Sequence, residues 1–221
     1  MKTLFLDSQM RMPAGMVVLP LRCSVVKTTT ALILISPIDF TSDQFAQIDQ
    51  LGEVTDIVAP SMLHHLHVST ASARYPKASL WAAPGLDEKE PGVKWDRVFG
   101  RDPWPYESEI EAVVLEGIPV MNEVSFLLKS LKSLVVVDLV FNLTLPKGWA
   151  APVMLRMLGT YKRFAISRLV TKSVRDKEAF ARSGRKILAL DFDEVVMAHG
   201  EIIKTGGKKL LRQAFAEKGI Q

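Results

Sequence analysis

The chain has 221 residues, of which 48% are hydrophobic and 24% are charged, and its formal net charge is +4. This balance is typical of a globular protein and excludes a fibrous or largely disordered chain. The single cysteine, Cys23, excludes an intrachain disulfide framework. Its place in an apolar run predicts a buried, unreactive thiol.

The apolar runs are too short for membrane or export segments. The longest, ALILISPI, has the length of a strand, whereas a membrane-spanning helix needs ~18 apolar residues. The opening run LFL is also shorter than the ~7 residues of a signal-peptide core. We therefore expect a soluble, cytoplasmic protein.

Strands and helices alternate along the predicted chain. The first helix lies in FTSDQFAQIDQLGEV, where Thr41 or Ser42 can cap the start and Gly52 can end it. Further helices are predicted in VSTASARYPKA, in 147–186 and in GGKKLLRQAFAEKG. The predicted strands are MVVLPLRCSVV, ALILISPI, TDIVAP, SLWAAPG, IEAVVLEGI, EVSFLLKS, SLVVVDLVF and the strand-like ILALDFDEVVMAHGEII, with a loop-like stretch after SLWAAPG. This order predicts a layered fold of the α/β or α+β class.

The positive charge belongs to one segment of the chain. Residues 1–146 carry 12 basic and 17 acidic side chains, whereas residues 147–186 carry 11 basic and 2 acidic side chains. The remaining residues carry five of each. We call residues 147–186 the basic segment.

Three predicted strands end in residues that can bind metals. TDIVAP leads into SMLHHLHVS, which holds three of the four histidines, while SLVVVD ends in Asp138 and EVVMAHG ends in His199. Because functional residues collect at strand ends in layered folds, we expect these side chains to meet. Imidazole and carboxylate groups are ligands for zinc or iron. Each residue taken alone also has a structural interpretation, as a capping aspartate or a half-buried histidine.

The order of several segments resembles the metallo-β-lactamase fold superfamily, in a divergent branch of uncharacterised domains. The segments are the opening hairpin ending in SPID, QLGEVTDIVAP before the histidines, YPKASLWAAPGL, GIPVMNEVSFLLKSLKSLVVVDLVFN and FDEVVMAHGEII, over about residues 15–215. The resemblance implies a four-layer αββα sandwich with metals at the sheet edges. It also implies a single domain over residues 1–221, with a basic helical insertion at about 147–186.

The superfamily signature H-x-H-x-D-H is only partly present in this chain. With His65 as its last histidine, the earlier positions fall on Pro60, Met62 and His64, and a further family histidine falls near Pro119. Proline has no side-chain donor, and a thioether is a poor zinc ligand. The resemblance therefore implies that the first of the family's two metal sites is absent.

The second family site has a candidate ligand set. It comprises His64 in place of the signature aspartate, together with His65, Asp138 and His199. These residues would hold at most one zinc, iron or manganese ion, and Asp138 would also orient a water molecule for catalysis. An alignment shifted by one or two residues brings in His67 and drops His64. We rank His65, Asp138 and His199 above either of those two histidines.

Two functions of different classes follow from these features. The first is a hydrolase with one metal ion, acting on an ester, amide or phosphodiester bond of an unknown small-molecule substrate. The alternative is a non-catalytic member of the fold with a degenerate active site, in which the histidines form a polar network without a metal. Such a protein would act as a binding module.

The basic segment has its own two interpretations. It could lie against an anionic membrane surface or an acidic partner, since a helix with apolar and basic faces suits both. The structural alternative is a solvated helix that covers one face of the sandwich. Few aromatic residues are interleaved with the basic ones, which argues against binding to nucleic acid.

Overall fold

The computed structural model describes residues 1–219, so the last two residues of the predicted domain 1–221 lie outside the described residues. The strands are β1 (Lys2–Arg11), β2 (Val18–Lys27), β3 (Leu32–Ile35), β4 (Asp56–Ala59), β5 (Ser79–Ala82), β6 (Arg97–Val98), β7 (Ile110–Val114), β8 (Val124–Leu128), β9 (Ser133–Val136), β10 (Phe141–Asn142), β11 (Phe164–Ala165) and β12 (Glu194–Met197). The helices are α1 (Ser42–Asp49), α2 (Val68–Arg74), α3 (Leu86–Lys89), α4 (Ala151–Leu158), α5 (Arg168–Ser173), α6 (Lys177–Ala189) and α7 (Gly207–Ala216).

The strands form two main sheets. The first has the order β1-β2-β3-β4-β5-β6, in which β1, β2 and β3 pair antiparallel and the strands from β3 to β6 pair parallel. The second has the order β12-β9-β8-β7, in which only β12 and β9 pair parallel. A separate ribbon joins β10 to β11.

The two sheets lie between two layers of helices, and the side chains of each inner strand point alternately to the other sheet and to a helix layer. On β3, Ile33 and Ile35 pack between the two sheets with Phe126 and Val135, because successive side chains of a strand point to opposite faces. Their neighbours Leu32 and Leu34 pack instead with buried residues of α1, α2 and α3, namely Ile48, Val68 and Leu86. On the far side, the second sheet packs against α6 and α7 through Phe180, Ile187, Leu211 and Phe215. The four-layer αββα sandwich is therefore confirmed.

The predicted helix α1 begins as its sequence suggests. Thr41 is the N-cap and forms a capping box with Gln44, in which each side chain accepts a hydrogen bond from the other residue's backbone N–H. Gly52 follows the helix with a φ of 134°, a conformation that favours glycine.

The amino-terminal strand β1 was not predicted. It pairs with β2 along its whole length, from Lys2 opposite Lys27 to Arg11 opposite Val18. As the edge strand of the first sheet it is only partly covered, and a single one of its residues, Leu6, is buried. Its sequence therefore lacks the long apolar run by which the inner strands were predicted.

The basic segment contains three helices, and the short strand β11 lies between α4 and α5, so the predicted helical character is wrong at Phe164–Ala165. Gly159, with a φ of 75°, ends α4, Ser167 caps α5 and Asp176 caps α6. Helix α6 continues to Ala189 and β12 begins only at Glu194, so the strand character predicted from residue 187 onward is wrong for residues 187–193. Since α6 packs on the second sheet, this part of the basic segment belongs to an outer helix layer.

No helix within residues 1–219 combines the length and apolarity needed to cross a bilayer. Cys23 is fully buried, and burial raises the pKa of its thiol far above the usual range, as expected for an unreactive cysteine.

Candidate metal centre

Four strand ends meet at one edge of the sandwich. In the first sheet, Ser36 follows β3, and β4 leads into the loop that carries His64. In the second sheet, Asp138 lies two residues beyond β9, and His199 lies two residues beyond β12. Because each sheet holds its two strands in parallel, their carboxyl ends lie side by side. The fold thus brings together side chains that are far apart in the chain.

Three metal-binding atoms converge at this edge. His64 Nε2 lies 3.2 Å from His199 Nε2 and 3.4 Å from Asp138 Oδ2, and His199 Nε2 lies 3.2 Å from Asp138 Oδ1. Ligand atoms at zinc–nitrogen and zinc–oxygen bond lengths in a tetrahedral site lie about 3.3 Å apart. The three side chains therefore have the spacing of ligands on one face of a metal site.

His199 is held with one ring nitrogen facing the cluster. Its Nδ1 lies 2.8 Å from the carbonyl oxygen of Pro20, and its ring stacks on Phe141 at a centroid distance of 5.1 Å and an angle of 6°. Because a carbonyl oxygen only accepts hydrogen bonds, Nδ1 carries a proton and donates it. In the neutral ring, the lone pair of Nε2 then points at Asp138 and His64.

His64 is positioned by two serines. Its Nδ1 lies 2.8 Å from Ser36 Oγ, and its backbone N–H donates to Ser61 Oγ at 3.1 Å. The Ser61 hydroxyl in turn donates to Asp138 Oδ2 at 3.3 Å. Ser36 has a φ of 60° where β3 ends, a conformation that non-glycine residues seldom adopt. The tight turn there brings the Ser36 hydroxyl under the imidazole.

The backbone around Asp138 is fixed by a buried carboxylate. Glu123 accepts hydrogen bonds at 2.8 Å from the N–H groups of Val137, Asp138 and Leu139. It is fully buried, and burial, with a smaller contribution from the charge of Asp138, raises the pKa of Glu123 to about 8. Glu123 thus anchors the turn that presents Asp138.

Asp138 itself remains ionised in spite of its burial. Burial on its own raises the pKa of this carboxyl, but the imidazoles of His64 and His199 outweigh that effect and hold the pKa below its usual range. An ionised carboxylate beside two imidazoles is a suitable donor set for a divalent cation.

His65 lies apart from the other three predicted ligands. Its Nε2 is 3.0 Å from Lys89 Nζ and 3.7 Å from Glu90 Oε1, outside the group formed by His64, Asp138 and His199. Burial, followed by the charge of Lys89, lowers the pKa of His65. The structure therefore does not match our ranking of His65 above His64. Adjacent residues in this loop point to different sides, which the spacing of a signature cannot reveal.

The sequence reasoning missed three residues that hold the cluster together, Ser36, Ser61 and Glu123. Ser36 and Ser61 stand just beyond the buried strands β3 and β4. The rule that selected Asp138, a polar residue after an apolar run, applies to Ser36 as well. Glu123 stands alone before an apolar strand, and nothing local in the sequence marks it as buried.

A family model described as a domain of unknown function (DUF4336) matches residues 5–190. The chain belongs to this family. No curated protein sequence matches it.

Solved structures show that this member of the DUF4336 family has the metallo-β-lactamase fold. A metallo-β-lactamase from Pontibacter korlensis superposes with a TM-score of 0.67 and 16% identity, covering 100% of this chain and 96% of that chain. One from Erythrobacter litoralis gives 0.63 and 15%, covering 97% and 87%. A flavo di-iron protein from Thermotoga maritima gives 0.63 and 13%, covering 98% and 59%. The predicted resemblance is therefore confirmed at the level of the fold.

The positions expected for the first metal site provide packing and backbone contacts. The carbonyl oxygen of Pro60 accepts from the N–H of Val124 at 2.7 Å. The side chain of Met62 packs with the core beneath the helices of the first sheet, and its carbonyl oxygen accepts from Lys89 Nζ at 2.6 Å. Pro119 is exposed. None of these three side chains offers a good metal ligand.

A cavity of about 540 Å³ opens beside the cluster. His64, Asp138 and His199 line it together with His67, at the start of α2, and the exposed Asp39. Most of its wall is apolar and consists of Met10, Leu19, Leu21, Pro37, Ile38, Leu63, Leu66 and Phe141. Among the described residues that line the cavity, none is a lysine or an arginine.

Proposed function

We propose that this protein is a hydrolase that uses one metal ion held by His64, Asp138 and His199. The observation that carries the proposal is the convergence of their three donor atoms, 3.2 to 3.4 Å apart, at the wall of an apolar cavity. The fold supports it, because ligands bind at strand ends in layered folds of this kind. The donor set suits zinc, iron or manganese.

The side chains around the metal site act by holding the three donors in place. Pro20 and Phe141 fix the ring of His199, while Ser36 holds His64. The Ser61 hydroxyl and the turn anchored by Glu123 fix Asp138. A divalent cation held by these groups would supply Lewis-acid chemistry, namely a lower pKa for a water molecule, toward ~7, and polarisation of a carbonyl group. Such a preorganised donor set needs little rearrangement on binding.

The cavity favours a neutral ester or amide with an apolar group as the substrate. Its aliphatic and aromatic wall suits an apolar moiety, and the exposed Asp39, the acidic lining residue outside the metal ligands, disfavours an anion there. A phosphodiester is disfavoured because its charge meets no lysine or arginine among the described lining residues.

The first test is elemental analysis of the chain purified without chelators or a histidine tag. We expect about one metal ion per chain in the parent protein, and none in the His64→Ala and His199→Ala variants. His65→Ala is the matched control and should keep its metal, since His65 faces Lys89 instead of the cluster. The loaded protein is then assayed on 4-nitrophenyl esters of rising acyl length and on bis(4-nitrophenyl) phosphate. Ester hydrolysis that is lost in His199→Ala supports the proposal.

The second candidate is a binding module without catalysis. It is favoured by Pro60 and Met62, which offer no ligand at the positions of the first family metal site, and by the close polar contacts that already join His64, Asp138 and His199. A parent protein that takes up no zinc, manganese or iron would support this second function. If the protein binds a metal ion but hydrolyses no ester or amide, the metal site is supported and the hydrolase function is refuted.

A further inference from the structure

The loop after β10 and the helix α4 expose a stripe of large apolar side chains. Leu145 is 76% exposed, Trp149 72%, Val153 63% and Met157 69%, and each lies four residues after the one before. Most large apolar side chains of this chain are buried, and scattered exposed ones are normal for a globular surface. Val153 and Met157 share one face of α4, and Leu145 and Trp149 lie in the loop that leads into it, so this exposed apolar cluster in one short stretch indicates a contact surface.

The fold of the protein does not use this stripe. Helix α4 already packs its other face, through Ala151 and Leu155, against a small core that includes Val17 and Leu143. Val153 and Met157 lie one helical turn apart on the outward face. The indole N–H of Trp149 donates to the carbonyl oxygen of Ala14 at 3.3 Å, which positions the ring while leaving its apolar body exposed.

Two arginines beside the stripe can bind anionic groups. Arg156 donates to the carbonyl oxygen of Pro152 at 3.0 Å and lies over the ring of Tyr161 at 3.9 Å. Arg168 donates to the carbonyl oxygen of Met157 at 3.1 Å, which places its guanidinium next to the stripe. Neither arginine makes an ion pair with a carboxylate within residues 1–219, in contrast to Arg163, which pairs with Glu217.

We infer that this surface docks onto an anionic membrane. We call it the docking face and define it by Leu145, Trp149, Val153, Met157, Arg156 and Arg168. Apolar side chains can enter the boundary between headgroups and acyl chains, while the guanidinium groups bind lipid phosphates. Tryptophan favours this boundary because one part of its ring system is apolar and its N–H is polar.

The charge of the docking face favours an anionic membrane over a second copy of the chain as its partner. Arg156 and Arg168 make no ion pair with a carboxylate within residues 1–219, so a symmetric dimer through the docking face would bring uncompensated guanidinium groups of two copies together. A soluble acidic protein would neutralise the arginines but gives no reason for a row of aliphatic side chains beside them. An anionic bilayer matches both the charge and the apolar row.

The inference is tested with the full chain and two vesicle preparations, and it needs no metal. One preparation is pure phosphatidylcholine and the other an equimolar mixture of phosphatidylcholine and phosphatidylglycerol. We expect co-sedimentation with the mixed vesicles at low salt, weak binding to the neutral ones, and release as salt rises. Tryptophan fluorescence should shift to the blue on binding, since Trp149 is exposed whereas Trp81 is buried between the sheets. The Trp149→Phe variant should bind without this shift.

Paired variants separate the apolar and the charged contributions. The double variant Val153→Ser, Met157→Ser should bind mixed vesicles at least about 10-fold more weakly. The double variant Arg156→Gln, Arg168→Gln should bind about 30-fold more weakly at low salt. The control is Val120→Ser, at a 52% exposed position before β8, which should bind like the parent.

Three results would overturn the inference. The first is no binding to either vesicle preparation. The second is binding to polyglutamate without binding to vesicles, which points to an acidic protein partner. The third is a dimer in sedimentation analysis that the Val153→Ser, Met157→Ser variant dissociates, which points to a second copy of the chain.

Discussion

Hydroxyl groups do much of the positioning at the candidate metal centre. A serine hydroxyl can donate or accept, so Ser36 can serve His64 in either tautomer. When His64 Nε2 binds a metal ion, Nδ1 must carry the proton and donate it to Ser36 Oγ. Without a metal, Nε2 can carry the proton and Ser36 can donate to Nδ1 instead. Ser36 is therefore compatible with both states of the site.

We expect Ser36→Ala to weaken metal binding about 10-fold or more, because the metal-bound form would leave the Nδ1–H group of His64 buried without an acceptor. Isothermal titration with zinc measures the change. The matched control is Ser125→Ala, since Ser125 is another buried serine and its hydroxyl has no hydrogen-bond partner within the described residues. Equal affinities of Ser36→Ala and the parent protein would show that Ser36 does not position His64.

Glu123→Gln tests the anchor beneath Asp138. Both carboxyl oxygens of Glu123 accept backbone N–H groups, and they can do so even when the group is protonated, whereas the amide nitrogen of glutamine only donates and would face a backbone N–H. We expect the free energy of unfolding to fall by about 2 kcal/mol, as measured by urea denaturation. Unchanged stability would mean that the turn does not depend on this carboxylate.

The same variant should change how stability depends on pH. Folding raises the pKa of Glu123 from an ordinary value of 4.5 to about 8, so between these values the folded state holds a proton that the unfolded state has lost. This contribution to the unfolding free energy is complete below pH 4.5 and is lost as the pH rises toward 8. Glu123→Gln should remove that part of the decline, because glutamine does not titrate. Parallel pH profiles of parent and variant would contradict this expectation.

At the scale of elements, the turn after β12 decides where His199 lies. The backbone of Asn142 contacts both sides of this turn, accepting from the N–H of Glu201 at 3.0 Å and donating to the carbonyl oxygen of His199 at 3.1 Å. Gly200 lies between them with a φ of 124°, and a Cβ there would stand 2.2 Å from the carbonyl oxygen of Asn142. Only glycine allows these two backbone segments to approach so closely.

Gly200→Ala should therefore destabilise the protein by about 3 kcal/mol and displace His199 from the metal centre. Gly206→Ala is the matched control, since Gly206 also has a positive φ but its Cβ would meet nothing within 4 Å. That control should cost about 1 kcal/mol and leave metal binding intact. Thermal unfolding and metal content distinguish the two variants. A Gly200→Ala protein that is as stable as the control would refute the steric explanation.

The elements also differ in how well their sequences predicted them. The inner strands were found because burial on both faces makes them nearly continuous apolar runs, as in LILI of β3. The edge strand β1 was missed because most of its residues are polar, and the short strand β6 because it pairs through only two residues of a loop-like stretch. The breaks in the basic segment at Gly159, Ser167 and Asp176 follow known capping rules but interrupt an otherwise helical pattern.

At the scale of the whole molecule, the candidate metal centre draws its residues from both sheets. His64 belongs to the loop after β4 of the first sheet, whereas Asp138 and His199 follow β9 and β12 of the second. A cation held by all three would connect the two halves of the sandwich in the folded state. Its binding free energy would then add to the stability of the whole fold.

Metal binding should therefore raise the unfolding temperature of the protein. A metal ion at 100 times its dissociation constant adds about 2.7 kcal/mol, which for a chain of this size corresponds to about 5–10 °C. Differential scanning fluorimetry with and without a chelator measures the shift. His65→Ala should keep the shift and His199→Ala should lose it. An equal shift in both variants would place the metal elsewhere on the chain.

The sequence by itself indicated a layered fold of the α/β or α+β class and carried the family resemblance, which in turn implied the αββα order and the loss of ligands at Pro60, Met62 and Pro119. These features can be inferred from local composition and spacing, because burial selects apolar residues at a regular period and backbone geometry selects particular residues at turns. Only the tertiary structure decided that His64, and not His65, joins Asp138 and His199, and that Ser36 and Glu123 hold them. The orientation of a side chain in a loop depends on contacts with residues more than a hundred positions away, such as His199 for His64. The exposure of Trp149 and its neighbours was likewise decided by which face of α4 packs on the core.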